Sequence, residues 1–189
     1  MHDHHFDTKM VSRLENESRI EELKPYDLLR NVAGVSEGMT CVDLGCGTGV
    51  FTIPMAEIAG KSGKVYGVDN SAELLEHLRR KKPPANIILI NSDVRETGLE
   101  SGIADFCLLA FILHEVKDPE VLVAEAHRLL KSDGKIIAVD WRADAEGKGP
   151  PVSIRLKRTR VQQIFKSCHF KVFQYQDWSV NHYAITGIK

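Results

Sequence analysis

The sequence predicts an α/β protein on one doubly wound sheet of seven strands, mostly parallel with the last strand antiparallel. Three observations predict it. Apolar runs of strand length alternate with helical patterns from residue 40 onward, which implies crossover connections. Those runs are apolar almost throughout, as in strands covered on both faces. The last two runs are joined by Gln176–Asn181, too short for a crossover helix, so they pair antiparallel.

The 189 residues are enough for one domain with a real core. At 43% hydrophobic and 27% charged, the composition is that of a soluble globular protein. The formal net charge of -1 gives no global attraction to nucleic acid. No apolar run approaches the roughly 20 residues of a membrane span, so no membrane partner is expected. The first residues, Met1 to Asp7, are polar and carry no secretory pattern, which leads to the expectation of a cytoplasmic protein. Cys41, Cys46, Cys107 and Cys168 are scattered without a CxxC pair, so reduced thiols and no metal are expected. His2, His4 and His5 lack a fourth ligand and read as a solvated tail.

The elements follow in order. Residues 1–37 form an N-terminal lid or helical segment ahead of a domain over 38–189, the whole being one compact unit. Pro25 suits a first helical turn and Gly34 a stop, which predicts a helix over Pro25–Ala33. Thr40–Leu44 is the first strand, Val50–Ala59 a helix, and Lys64–Asp69 the second strand. Asn70 caps the next helix, with Glu73 completing a capping box and Leu74, Leu75 and Leu78 forming its apolar stripe. Asn86–Ile90 is the third strand and Ala104–Leu113 the fourth. Asp118-Pro119 starts an amphipathic helix that Gly134 ends. Lys135–Val139 is the fifth strand, Val152–Cys168 mostly helix, and Phe170–Tyr175 and Tyr183–Gly187 close the sheet.

Ligands of open α/β sheets bind at the carboxyl ends of the strands. Asp43, Asp69, Asp93, His114 and Asp140 each follow one of the first five strands, which puts five polar groups on one rim. The first strand runs into Gly45-Cys46-Gly47-Thr48-Gly49. A dinucleotide motif needs its third glycine where Val50 stands, and Asp43 would face phosphates unfavourably. An acid beside the turn suits a ligand with an ammonium or sulfonium charge. Asp69 is placed to accept from two ribose hydroxyls. A nucleoside with a cationic tail is the better match.

The ordered set "VDLGCGTG", "GVD", "NSD", "LLAFILHEV" and "LLKSDGKIIAVDW" resembles the class I S-adenosylmethionine-dependent methyltransferases, over residues 38 to 141. Within them it looks most like the ubiquinone/menaquinone-biosynthesis type acting on small molecules. The resemblance implies a Rossmann-like sheet and S-adenosyl-L-methionine as cofactor. It implies that Gly45, Gly47 and Gly49 admit the methionine part, with Asp43 near its amino group. It gives Asp69 the ribose, Asp93 and the Val94 backbone the adenine, and Asn70 or Leu74 its flank. Ala110 and Phe111 would face the sulfonium. Cys46 fills space between glycines.

Methyl transfer from a sulfonium needs mainly alignment and exclusion of water. A base is needed only where the acceptor loses a proton. His114 is the candidate, with Glu115 beside it to orient or replace it; the alternative is a ring that packs over the sulfonium or caps a turn. Trp141 walls the acceptor pocket or belongs to the core. The family's (Asn/Asp)-Pro-Pro-(Tyr/Phe) motif is absent, its place reading Ala110-Phe111-Ile112-Leu113, which disfavours adenine and amide acceptors. The scattered cysteines do not suit arsenic. Phe6, Asp7, Lys9 and Arg19 are candidate lid contacts. An acid-free stretch carries Lys148, Arg155, Lys157, Arg158, Arg160, Lys166 and Lys171, read as a solvated helix face, so nucleic acid is not expected. The resulting expectation is a monomer or homodimer methylating a small molecule. The rival readings are an RNA or protein methyltransferase and a non-catalytic S-adenosylmethionine-binding protein.

Overall fold

The computed structural model describes residues 8–145 and 149–189. His2, His4, His5, Phe6, Asp7 and Lys148 lie outside the described residues, as does the side chain of Lys9. Helices α1 (Thr8–Leu14) and α2 (Glu17–Leu23) lead into α3 (Pro25–Asp27), which continues as a π turn over Leu28–Val32. Then come β1 (Thr40–Leu44), α4 (Thr52–Ala59), β2 (Lys64–Asp69), α5 (Ala72–Arg80), β3 (Ile87–Asn91) and β4 (Ala104–Ala110). Helix α6 (Pro119–Leu129), β5 (Leu130–Trp141), α7 (Arg158–Ser167), β6 (Lys171–Asp177) and β7 (His182–Ile188) complete the chain.

The strands form one sheet in the order β3-β2-β1-β4-β5-β7-β6. Neighbours among β1 to β5 pair parallel, and β7 lies antiparallel between β5 and β6. This is the Rossmann-like doubly wound class read from the sequence. Because β7 is reversed, its first residue reaches the rim where the other strands end, and His182 pairs in register with Trp141.

Successive residues of a strand face opposite sides, and both sides are covered. Phe106 and Leu108 of β4 enter one core with Met55 of α4 and Leu23, Leu28 and Leu29 of the N-terminal segment. Cys107 and Leu109 enter the other with Leu122 and Ala126 of α6 and Ile164 of α7. Each buried leucine contributes about 1.5–3 kcal/mol of transfer free energy, which fixes the strand register and hence the rim.

Several boundaries shift by one or two residues from the sequence reading, and four differences affect the rim or a helix end. Strand β4 ends at Ala110, not Leu113, because Phe111 takes a left-handed φ of 58°. His114 therefore stands in the turn beyond the strand. Ser71, not Asn70, caps α5: Asp69 Oδ1 accepts from the Ser71 amide at 2.9 Å, and Ser71 Oγ accepts from Leu74 N at 3.2 Å. Helix α6 stops at Leu129 instead of Gly134. Leu130 already pairs with Ala104, and residues 131–134 loop out, Asp133 at φ 62°, before Lys135 rejoins opposite Phe106. The helix expected from Val152 begins at Arg158, after a 3-10 turn at Val152–Ile154. Arg155 is buried, not a surface cation, because its guanidinium turns inward to the carbonyls of Pro150, Arg142 and Ala145 at 2.9, 3.0 and 2.8 Å. Ile154, in that 3-10 turn, is exposed.

Candidate active site

The turn after β1 passes through Gly45, Gly47 and Gly49 at φ 85°, 52° and 86°, values that side chains resist. Asp69 holds this turn, its Oδ2 accepting from Gly47 N at 2.9 Å while Oδ1 holds the start of α5. One carboxylate thus ties the glycine turn to the following helix and keeps its remaining lone pairs for a ligand. Ile112 packs over Gly45, and Leu14 of α1 lies over Gly47. Gly49 faces Leu78 of α5 rather than the cavity; a Cβ there would strike Leu78.

Asp43 lies beneath the turn, only 1% exposed. Its Oδ2 accepts from Thr52 Oγ1 at 2.6 Å, and Oδ1 has no protein partner among the described residues. Burial pushes this carboxyl up to about 7, against the Thr52 hydrogen bond and with Asp69 adding to the rise. A buried acid with an orphaned oxygen fits a cationic ligand, because the ion pair would compensate its desolvation. The residues present therefore fit the ammonium-bearing end of S-adenosylmethionine. Burial raises the Cys46 thiol far above its ordinary range, so Cys46 fills space and is no nucleophile at neutral pH.

A cavity of about 1270 Å³ opens over this turn. Ligand pockets commonly measure about 300–1,000 Å³, so there is room for a nucleoside and a second small molecule. Asp43, Gly45, Cys46, Gly47, Asp69, Asn70, Leu74, Asp93, Val94, Ala110, Phe111, His114 and Glu115 all line it. Asp93 lines the rim paired with Arg95, at 2.6 Å, whose hydrogen bonds hold its carboxyl at about 2.

His114 and Asp140, from the ends of neighbouring chain segments, form a buried pair. Nδ1 of His114 lies 2.7 Å from Asp140 Oδ1, and the two side chains are 6% and 3% exposed. The carboxylate also accepts from the amides of His114 and Trp141, at 3.3 and 2.7 Å, which fixes its orientation. Asp140 thereby accepts from Nδ1–H, which leaves Nε2 as the acceptor in the neutral ring. Burial alone would pull the imidazole down; the hydrogen bond to Asp140 and its charge, with Glu115 adding, outweigh it and raise the pKa above 6.5. Glu115 lies 3.8 Å from Nε2 with its side chain 65% exposed.

Beside this pair stands an aromatic wall that the sequence reading assembled only in part. Trp141 packs against His182, ring centres 4.3 Å apart, and Phe111 meets both at 5.8 and 5.0 Å. Arg155 braces Trp141 from behind, its guanidinium 5.5 Å from the ring. His182 is fully buried, and burial draws its pKa down to about 4, so it is neutral at physiological pH.

Helices α1 and α2 cross the mouth. Glu15 accepts from Lys81, just after α5, at 2.5 Å and lies 2.8 Å from His77 of α5, while Lys81 also donates to Thr48 O of the glycine turn at 2.7 Å. At the other end, Trp178 Nε1 donates to Leu23 O at 2.7 Å, and Glu22 accepts from Ser179 and Asn181 at 2.7 and 2.8 Å. The crossing piece is thus clasped to both halves of the rim. Met10, Arg13, Leu14 and Arg19 face the cavity from it. No helix of the described residues is long and apolar enough to cross a membrane, and none of their His, Cys, Asp and Glu groups is placed to hold a metal ion.

The profile of a family described as methyltransferase domain matches residues 42–138. A demethylmenaquinone methyltransferase of Staphylococcus aureus (strain MRSA252) is 31% identical over 135 residues, 70% of this chain and 56% of the relative. The chain thus spans just over half the length of the curated relatives it matches. The crystal structure of a SAM dependent methyltransferase from Aquifex aeolicus aligns with a TM-score of 0.89 at 25% identity, covering 97% of this chain and 99% of that one. That of a putative type 11 methyltransferase from Sulfolobus solfataricus aligns at 0.70 and 28% identity, covering 86% and 90%.

Proposed function

We propose, on the premise that the chain belongs to the class I S-adenosylmethionine-dependent methyltransferase family, that it methylates a small molecule by in-line displacement. The observation that carries this reading is that the cofactor-type acids and His114, which Asp140 holds from behind, line one cavity. S-adenosylmethionine supplies a methyl group on a sulfonium, with a neutral thioether as leaving group. Asp69 holds the ribose, Asp43 the ammonium, and Asp93 with the Val94 backbone the adenine. Asn70 and Leu74 flank the nucleoside, and Ala110 and Phe111 face the methyl group. His114 Nε2 takes a proton from the acceptor, and Asp140 keeps Nδ1–H in place and stabilises the imidazolium. Glu115, at the exposed edge, receives or relays that proton. The N-terminal segment, of which α1 to α3 are described, serves as lid on the domain from residue 38 and excludes water.

Relatives named demethylmenaquinone methyltransferases make demethylmenaquinone the first acceptor to try. We place the protein in the cytoplasm, as a monomer or homodimer without a nucleic-acid partner. Arg155 is buried, Arg158 stacks on Tyr175 at 4.1 Å, and Arg160 pairs with Glu120, so the basic stretch is partly consumed within the fold. Two measurements test the reading. Calorimetry should show S-adenosylmethionine and S-adenosylhomocysteine binding far more tightly than NAD. An acceptor panel should then release S-adenosylhomocysteine. NAD binding as tight as theirs would overturn the cofactor, and tight cofactor binding with no turnover on any acceptor would favour a non-catalytic binding protein.

A further inference from the structure

We propose that Arg19, carried on the lid helix α2, is a carboxylate-binding residue that completes, with Asp43, a receptor for the zwitterionic amino-acid end of the cofactor. The proposal rests on the S-adenosylmethionine reading above. Arg19 lines the cavity, and its guanidinium lies 4.7 Å from the centre of the Phe111 ring. Among the described residues one of its five N–H donors is engaged, Nη1 donating to Leu14 O at 3.0 Å. Among the described residues no carboxylate stands within ion-pair distance of it. Glu22, one turn on, is committed to Ser179 and Asn181 across the rim. Its other charged neighbour is Arg13, which repels it; burial and Arg13 together draw its pKa down to about 10.

The cavity therefore contains two complementary deficits. One is a buried carboxylate oxygen without a partner, Oδ1 of Asp43. The other is a guanidinium with open donors, near the charge of Glu22 but with no carboxylate within ion-pair distance among the described residues. A simple cation would satisfy only the first and a simple anion only the second. An α-amino acid group satisfies both, with its ammonium toward Asp43 and its carboxylate toward Arg19. Planar guanidinium–carboxylate pairing is bidentate and directional, so the contact would also set the angle of α2 over the site. Since Leu14, on the same lid, covers Gly47, ligand charge and lid position are joined in one element.

The test compares S-adenosylhomocysteine with 5′-methylthioadenosine, which keeps the nucleoside and thioether but lacks the amino acid. Arg19→Met should weaken S-adenosylhomocysteine by about 10- to 100-fold, the scale of charge-assisted hydrogen bonds, and leave 5′-methylthioadenosine within about twofold. Arg19→Lys keeps the charge without the fork and should fall between. Thermal melts of both variants establish that they fold. In hydrogen exchange, S-adenosylhomocysteine should protect residues 8–23 more than 5′-methylthioadenosine does, and Arg19→Met should erase the difference. Unchanged S-adenosylhomocysteine affinity overturns the proposal, as does an equal loss for both ligands. An acid on the acceptor is the other source of such a carboxylate. If benzoate stabilises the wild type in the presence of 5′-methylthioadenosine, loses that effect in Arg19→Met, and S-adenosylhomocysteine is indifferent, the cofactor assignment is overturned in favour of the acceptor. Wild-type protein that binds no S-adenosylhomocysteine would end the cofactor reading as well, whereas tight binding without Arg19 dependence ends only this inference.

Discussion

On the reading proposed above, Asp43 makes cofactor binding depend on pH in a calculable direction. Its carboxyl rises from 3.8 to about 7 in the ligand-free fold. The rise is roughly three units, and at about 1.4 kcal/mol per unit it amounts to about 4 kcal/mol as an upper bound. Because the folded pKa is raised, the protonated acid contributes stability that is fully present below pH 3.8 and lost as pH climbs through 7. Above 7 the fold carries a buried charge that a bound ammonium would compensate. S-adenosylhomocysteine should therefore bind weakly at acid pH and more tightly as Asp43 ionises. Affinity should rise about tenfold per unit below 7 and level off above it, or about 30-fold from pH 5.5 to 8. Asp43→Asn keeps the shape and the Thr52 contact but removes the charge. It should bind more weakly with a flat pH response. Without ligand at pH 8 it should melt several degrees higher, at about 2–4 °C per kcal/mol for a chain of this size. Calorimetry in buffers of different ionisation enthalpy would also count the proton released. Wild-type affinity that stays constant from pH 5.5 to 8, or a variant with the wild-type slope, would refute the reasoning.

Four further outcomes are expected. Asp69→Ala should weaken S-adenosylhomocysteine by about 10- to 1,000-fold in calorimetry; unchanged affinity would mean that Asp69 only holds Gly47 and Ser71. Once an acceptor is known, His114→Ala should cut turnover by about 10²- to 10⁴-fold while cofactor affinity holds, and equal loss of both would favour a packing role. In the wild type, activity should rise with pH through a value above 6.5, since Asp140 holds His114 protonated longer, and Asp140→Asn should move that limb downward. Gly49→Ala, at φ 86° and against Leu78, should cost about 1–3 kcal/mol and lower the melting midpoint, whereas an unchanged melt would contradict the packing described.

The rim was legible because parallel strands end where the apolar run ends. Asp43, Asp69 and Asp140 could be found that way, each marked by a change from apolar to acidic. His182 escaped for a physical reason. In the reversed strand β7 the rim residue is the first of the run, so a rule that looks at strand ends looks at the wrong end. The pairing of His114 with Asp140 depends on the left-handed turn at Phe111, which no propensity assigns to a phenylalanine. Asn70 and Ser71 are both good caps, and Asp69, bonding the Ser71 amide, decided between them. Arg155 looked like a surface cation because a composition count cannot see three carbonyls converging from a loop.

The clasp between Glu22 and the turn before β7 has a consequence for how the protein is made. Ser179 and Asn181 lie 157 and 159 residues beyond their partner. Synthesis proceeds from the N-terminus, at about 5–20 residues per second, so Glu22 waits on the order of ten seconds or more for these partners to be made. The glycine turn and the acids after β1 and β2 are translated early and can assemble on the first strands. The aromatic wall likewise waits for His182 of β7. A nascent chain stalled short of that point would carry the glycine turn and the acids beside it without the aromatic wall across the cavity.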